Sequence, residues 1–240
     1  MGLEQALGKY EYFLDDKNVF DVDNSGMGAC HNTIDFVLNP DEINEFLQKT
    51  RDFNFGQCCY NEITGKYVSK LIQNSFNAGN HFFVLETGRM NINCLGQNLR
   101  GSVQNGNGFC YPMIIVEVIG SIGDNCFTGS CGCYATIHGN VGNNLARCSN
   151  HSRLDVRGDA GYGAAEYSVS GLYEFRGSVK SGFYMAKDCT FRAHNEDALK
   201  VLKKSVPAGR SNILQKADGE NFLRVKRIRD RVLEKFMRRR

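Results

Sequence analysis

Through the middle of the chain, apolar and polar positions alternate in short runs, and the runs recur at one interval. Two residues before a glycine stand Leu99, Val118, Ile137, Val156 and Phe175; four before stand Val116, Ala135, Leu154 and Tyr173; two after stand Val103, Ile122, Val141, Ala160 and Val179. Such alternation turns one face of a strand inward, and no period near 3.6 competes with it. The glycines stand at 101, 120, 139, 158 and 177, always 19 residues apart. A fixed interval predicts a solenoid, in which each coil buries its apolar side against its neighbours. Nineteen residues are too few for a strand–helix repeat. They suit a closed turn of about three short strands, with coils stacked about 4.8 Å apart.

The expected fold is therefore mainly β: a right-handed parallel β-helix of about 19 residues per coil over residues 81–195, preceded by an α+β region (1–80) and followed by a helical, basic extension (196–240). Gly101, Gly120, Gly139, Gly158 and Gly177 lead the turns, and Gly123, Gly142 and Gly161 follow three residues later in the middle coils. They are expected where the strand bends and the backbone takes an angle other residues resist.

Two outward columns flank each inward one. The first reads Asn98, Glu117, Thr136, Asp155 and Glu174; the second reads Arg100, Ile119, His138, Arg157 and Arg176. An acidic column beside a basic one predicts a lattice of surface ion pairs, each arginine with a carboxylate in reach.

A G-x-x-G turn, a polar middle and an alternating strand, as in Leu154-Asp-Val-Arg-Gly158-Asp-Ala-Gly161, resemble the GXGXG β-helix family. That family includes the C-terminal domain of the large subunit of glutamate synthase and the C subunit of formylmethanofuran dehydrogenase. The likeness covers roughly residues 80–195 and is strongest from Gly120 to Gly177; Gln104 and Lys180 replace the second glycine in the outer coils. The resemblance implies a β-helix that is chiefly a structural and linking element, with an oxidoreductase or amidotransferase assembly as one setting.

The flanks carry helical signals. Leu3–Leu14 is expected as a short helix and Thr33–Leu38 as a strand. Asn39-Pro-Asp-Glu starts a helix with a cap, a first-turn proline and two acids. A longer helix is expected over Asn61–Asn77, ended by Gly79, and an apolar strand at His81–Leu85. Met90–Leu95 alternates as a first, degenerate coil; Glu196–Lys204 is expected as a helix and Ser205–Gly219 as a connector. Over Phe222–Arg240, Phe222, Val225, Ile228, Val232 and Phe236 make one apolar face on a basic helix. That helix has three open readings: packing on the solenoid, binding another chain, or contact with RNA or an anionic membrane.

Charge sharpens this division. Residues 221–240 hold nine Lys or Arg against two acids, a net +7 within a chain of net +3, which leaves −4 for the rest. No apolar run reaches the length of a membrane span, and no signal peptide is visible. Ten cysteines in that setting predict free thiols and a cytoplasmic protein. Cys110 and Cys148, each nine residues after a leading glycine, are expected as small core fillers.

Candidate chemistry is sparse. No phosphate-cradling glycine loop, nucleophile elbow or metal-ligand spacing occurs, so no cofactor and no metal are expected. Cys30-His31, Cys58-Cys59 and the Asp21/Asp23/Ser25 alternation are weighed as structural; a calcium loop would need Glu where Asn32 stands. Three function classes follow. The first is a non-catalytic scaffold or assembly subunit with a protein partner or self-association. The second is a hydrolase-type enzyme on a solenoid face, with Asp155 and Asp159 as an acid/base pair and His138, His151 and Arg157 nearby. The third is RNA or membrane-surface binding through the C-terminal helix.

Overall fold

The computed structural model describes residues 2–15, 34–53, 60–101, 113–206 and 212–216. Its elements are α1 (Leu3–Asp15), α2 (Pro40–Lys49) running into a 3-10 turn (Thr50–Phe53), α3 (Tyr60–Asn77), β1 (Phe82–Gly88), β2 (Ile114–Gly120), β3 (Cys133–Ile137), β4 (Arg153–Val156), β5 (Leu172–Phe175), β6 (Thr190–Ala193), α4 (Glu196–Ser205) and β7 (Ile213–Lys216). The strands form one parallel sheet in chain order. The fold is a parallel β-solenoid of about five turns, about 19 residues each, with helices at its ends.

The 19-residue interval is the offset between stacked strands: Ile114 pairs with Cys133, Tyr134 with Arg153, and Arg153 with Leu172. The next coil is one residue short, Leu172 pairing with Thr190. The deletion falls after Val179, because Ala160 still bridges Val179 while Ala164 bridges Gly182.

The first coil departs from the expected register. Leu85 stacks on Val118 and Gly88 on Gly120, so Leu99 and Gly101 do not head that series. Arg100 bridges Cys131, and the Gly101 N–H donates to the Cys131 carbonyl at 2.8 Å. The first coil is longer than the others, Phe82 pairing with Ile115, so equal spacing at Gly101 does not mean equal position. Asn98 and Arg100 accordingly leave the outward strand columns. Met90–Leu95 is not a strand, but the Ile92 carbonyl accepts from Gly123 N–H, which puts Ile92 above Ile122. Val103 and Gln104 lie outside the described residues.

Inward residues stack into a continuous core: Phe83 and Leu85, Val116 and Val118, Ala135 and Ile137, Leu154 and Val156, Tyr173 and Phe175, then Phe191 and Ala193, all buried. Burying such side chains is the main favourable term. Volume is balanced within the coil of β5. A Cβ on Gly171 would lie 2.4 Å from the Tyr173 ring, so the missing side chain gives that ring its space. Tyr173, Phe183 and Phe191 then plug the last coil, with Phe183 and Phe191 at 4.8 Å between ring centres.

Except at Gly120, the leading glycines are needed for a reason other than backbone angle. Gly120 has φ +129°, but Gly139, Gly158 and Gly177 lie outside the left-handed region. A Cβ on Gly158 would sit 2.6 Å from the Gly139 carbonyl oxygen, and one on Gly177 2.3 Å from that of Gly158. The left-handed positions form other columns, among them Phe127, Ala146, Ala165 and Phe183, and Gly129, Cys148, Tyr167 and Met185.

The helices of the N-terminal region close the first edge of the coil stack. Asn44 Oδ1 accepts the Glu86 N–H at 2.9 Å, and Gln48 and Arg51 donate to the Glu86 carbonyl. Ser69 Oγ accepts the Gly96 N–H at 2.7 Å, and the Gln73 amide bonds both the N–H and the carbonyl of Arg100. Helix α3 lies so close that a Cβ on Gly65 would come within 1.8 Å of the Asn93 carbonyl oxygen. Behind this contact, Tyr10, Phe46 and Tyr67 pack together. The α2 start is a full capping box, Asn39 with Glu42.

Two expectations change. Residues 34–38 alternate buried and exposed yet form no strand; Asn74 Nδ2 donates to the Ile34 and Phe36 carbonyls in place of a neighbouring strand. Ser205–Gly219 is not wholly irregular, since Ile213–Lys216 pairs with β6 as β7. At this end Asn195 caps α4 and also donates to the Arg176 and Gly177 carbonyls, while Ala198, Leu199 and Leu202 are buried. Val19–Gly26, Pro207–Gly209 and Phe222–Arg240 lie outside the described residues.

Gly158→Ala is expected to destabilise the fold by about 1–3 kcal/mol, because the new methyl meets backbone that cannot move alone. Ser69→Ala is expected to cost about 1–3 kcal/mol by leaving the buried Gly96 N–H without its acceptor. Denaturant unfolding of each variant against the wild type measures both.

Candidate functional site

The outward face of the sheet holds most of the chain's candidate chemistry. Side chains at alternate strand positions form columns, so Glu117, Thr136, Asp155, Glu174 and Arg192 stand in one row across β2–β6. His138, Arg157, Arg176 and His194 follow two residues later in their coils. Neighbours in adjacent coils are close enough to pair diagonally, and they do.

Glu117 Oε1 lies 2.8 Å from His138 Nε2, and His138 Nδ1 lies 3.1 Å from Arg157 Nη1. A carboxylate accepts and a guanidinium donates, so Nε2 carries the imidazole proton and Nδ1 offers its lone pair to arginine. His138 is thus a neutral bridge between opposite charges. Arg157 was expected to meet a carboxylate; it meets this ring instead, and its Nε is buried without a partner.

Asp155 receives both arms of Arg176, at 3.0 and 2.8 Å. Burial works against the Arg176 charge, but the Asp155 bond and the Asp155 and Glu174 charges outweigh it and raise its pKa above the ordinary value. Glu174, with only 7% of its side chain exposed, accepts from His194 Nε2 at 2.6 Å and has Arg192 at 3.9 Å. A carboxylate buried that far needs such partners.

Asp159 lies beyond the bend, in a different system. Ser121 Oγ accepts the Asn140 N–H, Asn140 Oδ1 the Asp159 N–H, and Asp159 Oδ1 the Ser178 N–H. A second ladder, Asn93 to Asp124 to Asn143 to Tyr162, repeats the pattern three residues on. Each side chain satisfies the N–H that the bend leaves unpaired in the next coil. These polar residues follow Gly120, Gly123, Gly139, Gly142 and Gly158, a signal present in the sequence as a polar residue after each of those glycines. Gly161 and Gly177 continue the two glycine columns, while Gly101 stands apart.

The two carboxylates of the expected acid/base pair have separate partners. Asp155 is held by Arg176, Asp159 by Ser178, and no hydrogen bond joins them. His151 is not on this face; it occupies the column of Gly132, Ser170 and Asp188. A general base needs a free lone pair at a substrate position, and His138 has given its own to Arg157.

Three of the buried thiols are quiet as well. Burial pushes Cys94 up to about 11 and raises Cys126 and Cys189 as well, which keeps them protonated and poorly nucleophilic. Cys148 corrects an expectation: it is exposed, because its column faces outward. Cys30-His31, Cys58-Cys59, Cys110 and the Asp21–Asn32 stretch lie outside the described residues. Among the described residues no three His, Cys, Asp or Glu side chains converge as metal ligands would, and no helix is long and apolar enough to cross a membrane.

Compared with known proteins, the chain matches no family model, no curated protein and no solved structure.

The two Ser178 bonds hold the Asp159 carboxyl below its ordinary value near 3.8. A carboxyl lowered on folding adds stability above its unfolded pKa and loses it as pH falls through the folded value. Asp159→Asn keeps an oxygen acceptor, as Asn140 does one coil earlier. The variant is expected to melt close to wild type at neutral pH and to lose less stability than wild type below about pH 4. Thermal melts across an acid pH series would show it.

Proposed function

We propose that the chain is a non-catalytic β-solenoid scaffold or assembly subunit that holds a protein partner, or copies of itself, in fixed geometry. One observation carries this reading: Asp155, His138 and Asp159, three groups that could do acid/base chemistry, are consumed in holding coil to coil. Asp155 is bound twice by Arg176, His138 bridges Glu117 and Arg157, and Asp159 caps the next backbone N–H. An active site keeps such groups poised at a cleft, with pKa values tuned to the reaction.

The resemblance to the GXGXG β-helix family belongs to the same reading. Coils of 19 residues with stacked glycine columns support it, and it offers an oxidoreductase or amidotransferase assembly as a setting. Rigidity suits the role. A stacked core with a side-chain ladder on each bend presents its faces at fixed spacing, which a linking subunit requires.

The purified full chain is expected to give no turnover of chromogenic ester, phosphoester or glycoside substrates. Chemical cross-linking in native extract is expected to capture it with a subunit at fixed stoichiometry. Hydrolysis that disappears in a folded Asp155→Asn or Asp159→Asn variant would overturn the scaffold and establish the enzyme.

A further inference from the structure

The last two coils differ from the earlier ones on one outer face. Tyr167 is 42% exposed, Val169 37%, Tyr184 58% and Met185 36%. Hydrogen bonds and bridges fix their columns. Tyr167 and Met185 stand where Gly129 and Cys148 stand in earlier coils. Val169 stands where Cys131 and Asn150 do, and Tyr184 shares its column with Thr128, Arg147 and Glu166. The coil geometry is met at these positions by small or polar residues, so the fold does not ask for large apolar ones.

Two of the four also sit against a conformational preference. Tyr167 has φ +56° and Met185 φ +59°, a region where glycine and asparagine are at ease and bulky side chains are uncommon. Two of the four side chains are in direct contact. The Tyr167 and Tyr184 rings meet edge to face at 5.6 Å, and Arg147 lies over the Tyr167 ring at 5.5 Å. Tyrosine, methionine and arginine around an aliphatic residue have the composition of an interface centre, and a contiguous exposed apolar patch marks a contact site.

We propose that this face is a self-association surface and that its partner is a second copy of this chain. The choice of partner rests on charge. The rim carries cations, Arg147 and Lys187, together with acids, Glu166 and Asp188. A two-fold contact turns one patch onto itself, so it needs both signs around an apolar centre. A rim of one sign would fit a partner of the opposite charge. The inference rests on the assembly reading above, for which it names the partner.

Sedimentation velocity on the full chain from about 1 to about 200 μM tests it, this being the range of weak to moderate association. Wild type is expected to pass from monomer to dimer. Tyr167→Asn combined with Tyr184→Ser is expected to weaken the dimer at least about tenfold, as loss of central aromatic anchors does. Both sites are exposed and asparagine suits the left-handed angle, so an unchanged melting temperature certifies the fold. Hydrogen exchange of amides 162–188 is expected to slow with concentration in the wild type and not in the variant. A wild-type monomer throughout overturns the inference and leaves the patch to a different protein. A dimer of equal strength in the variant overturns it as well. Neither result touches the assembly reading, which fails instead on turnover lost in Asp155→Asn.

Discussion

The structure depends on termination of the backbone ladder. Every coil uses the N–H and carbonyl groups of its neighbours, so the first coil has a row of them with no coil above. Helices cannot supply main-chain partners, since theirs are used internally, apart from a rare contact such as the Asn61 carbonyl with Asn93 N–H. The N-terminal region solves this with side chains. Gln73 offers one donor and one acceptor to Arg100 as a strand residue would, the Ser69 hydroxyl oxygen accepts from Gly96 N–H, and Asn44, Gln48 and Arg51 serve Glu86. The polar residues on the faces of α2 and α3 toward the solenoid are therefore as structural as the apolar ones behind them.

Stacking makes each column a separate packing problem with its own solution. Where backbone crosses backbone, only glycine fits, as at Gly139, Gly158 and Gly177. Where the bend strands an N–H, an Asn, Asp or Ser one coil earlier accepts it. Where a ring fills the core, the facing position shrinks, as Gly171 does for Tyr173. Compensation runs within a coil or between neighbouring coils, which is why the sequence of each coil can drift while the register persists.

The same logic accounts for the charged face. Opposite charges one coil apart are drawn into diagonal pairs, and groups that look catalytic in isolation become cross-coil links. The Glu117–His138–Arg157 chain has the carboxylate and imidazole of a hydrolytic relay, but arginine occupies the place of the nucleophile. The columns break their own pattern at Tyr167 and Tyr184, where the earlier coils carry smaller or polar residues.

The 19-residue interval determined by itself the parallel solenoid, the inward residues of β2–β5 and the glycine columns, because stacking copies one coil's constraints onto the next at a fixed sequence offset. Local signals also determined α2 and α4, through the Asn39 and Asn195 caps, and α3, through its apolar side and the Gly79 stop. The tertiary structure alone decided the register of the first coil, where Gly101 meets Gly132 and not Gly120; an insertion changes position without changing composition. It alone decided why Gly158 must be glycine, since a clash with Gly139 depends on the distance between coils and leaves no trace in φ. It also decided that Asp155 and Asp159 serve separate systems. Residues four apart in sequence lie on opposite sides of a bend, and only the coil beneath determines what each one touches.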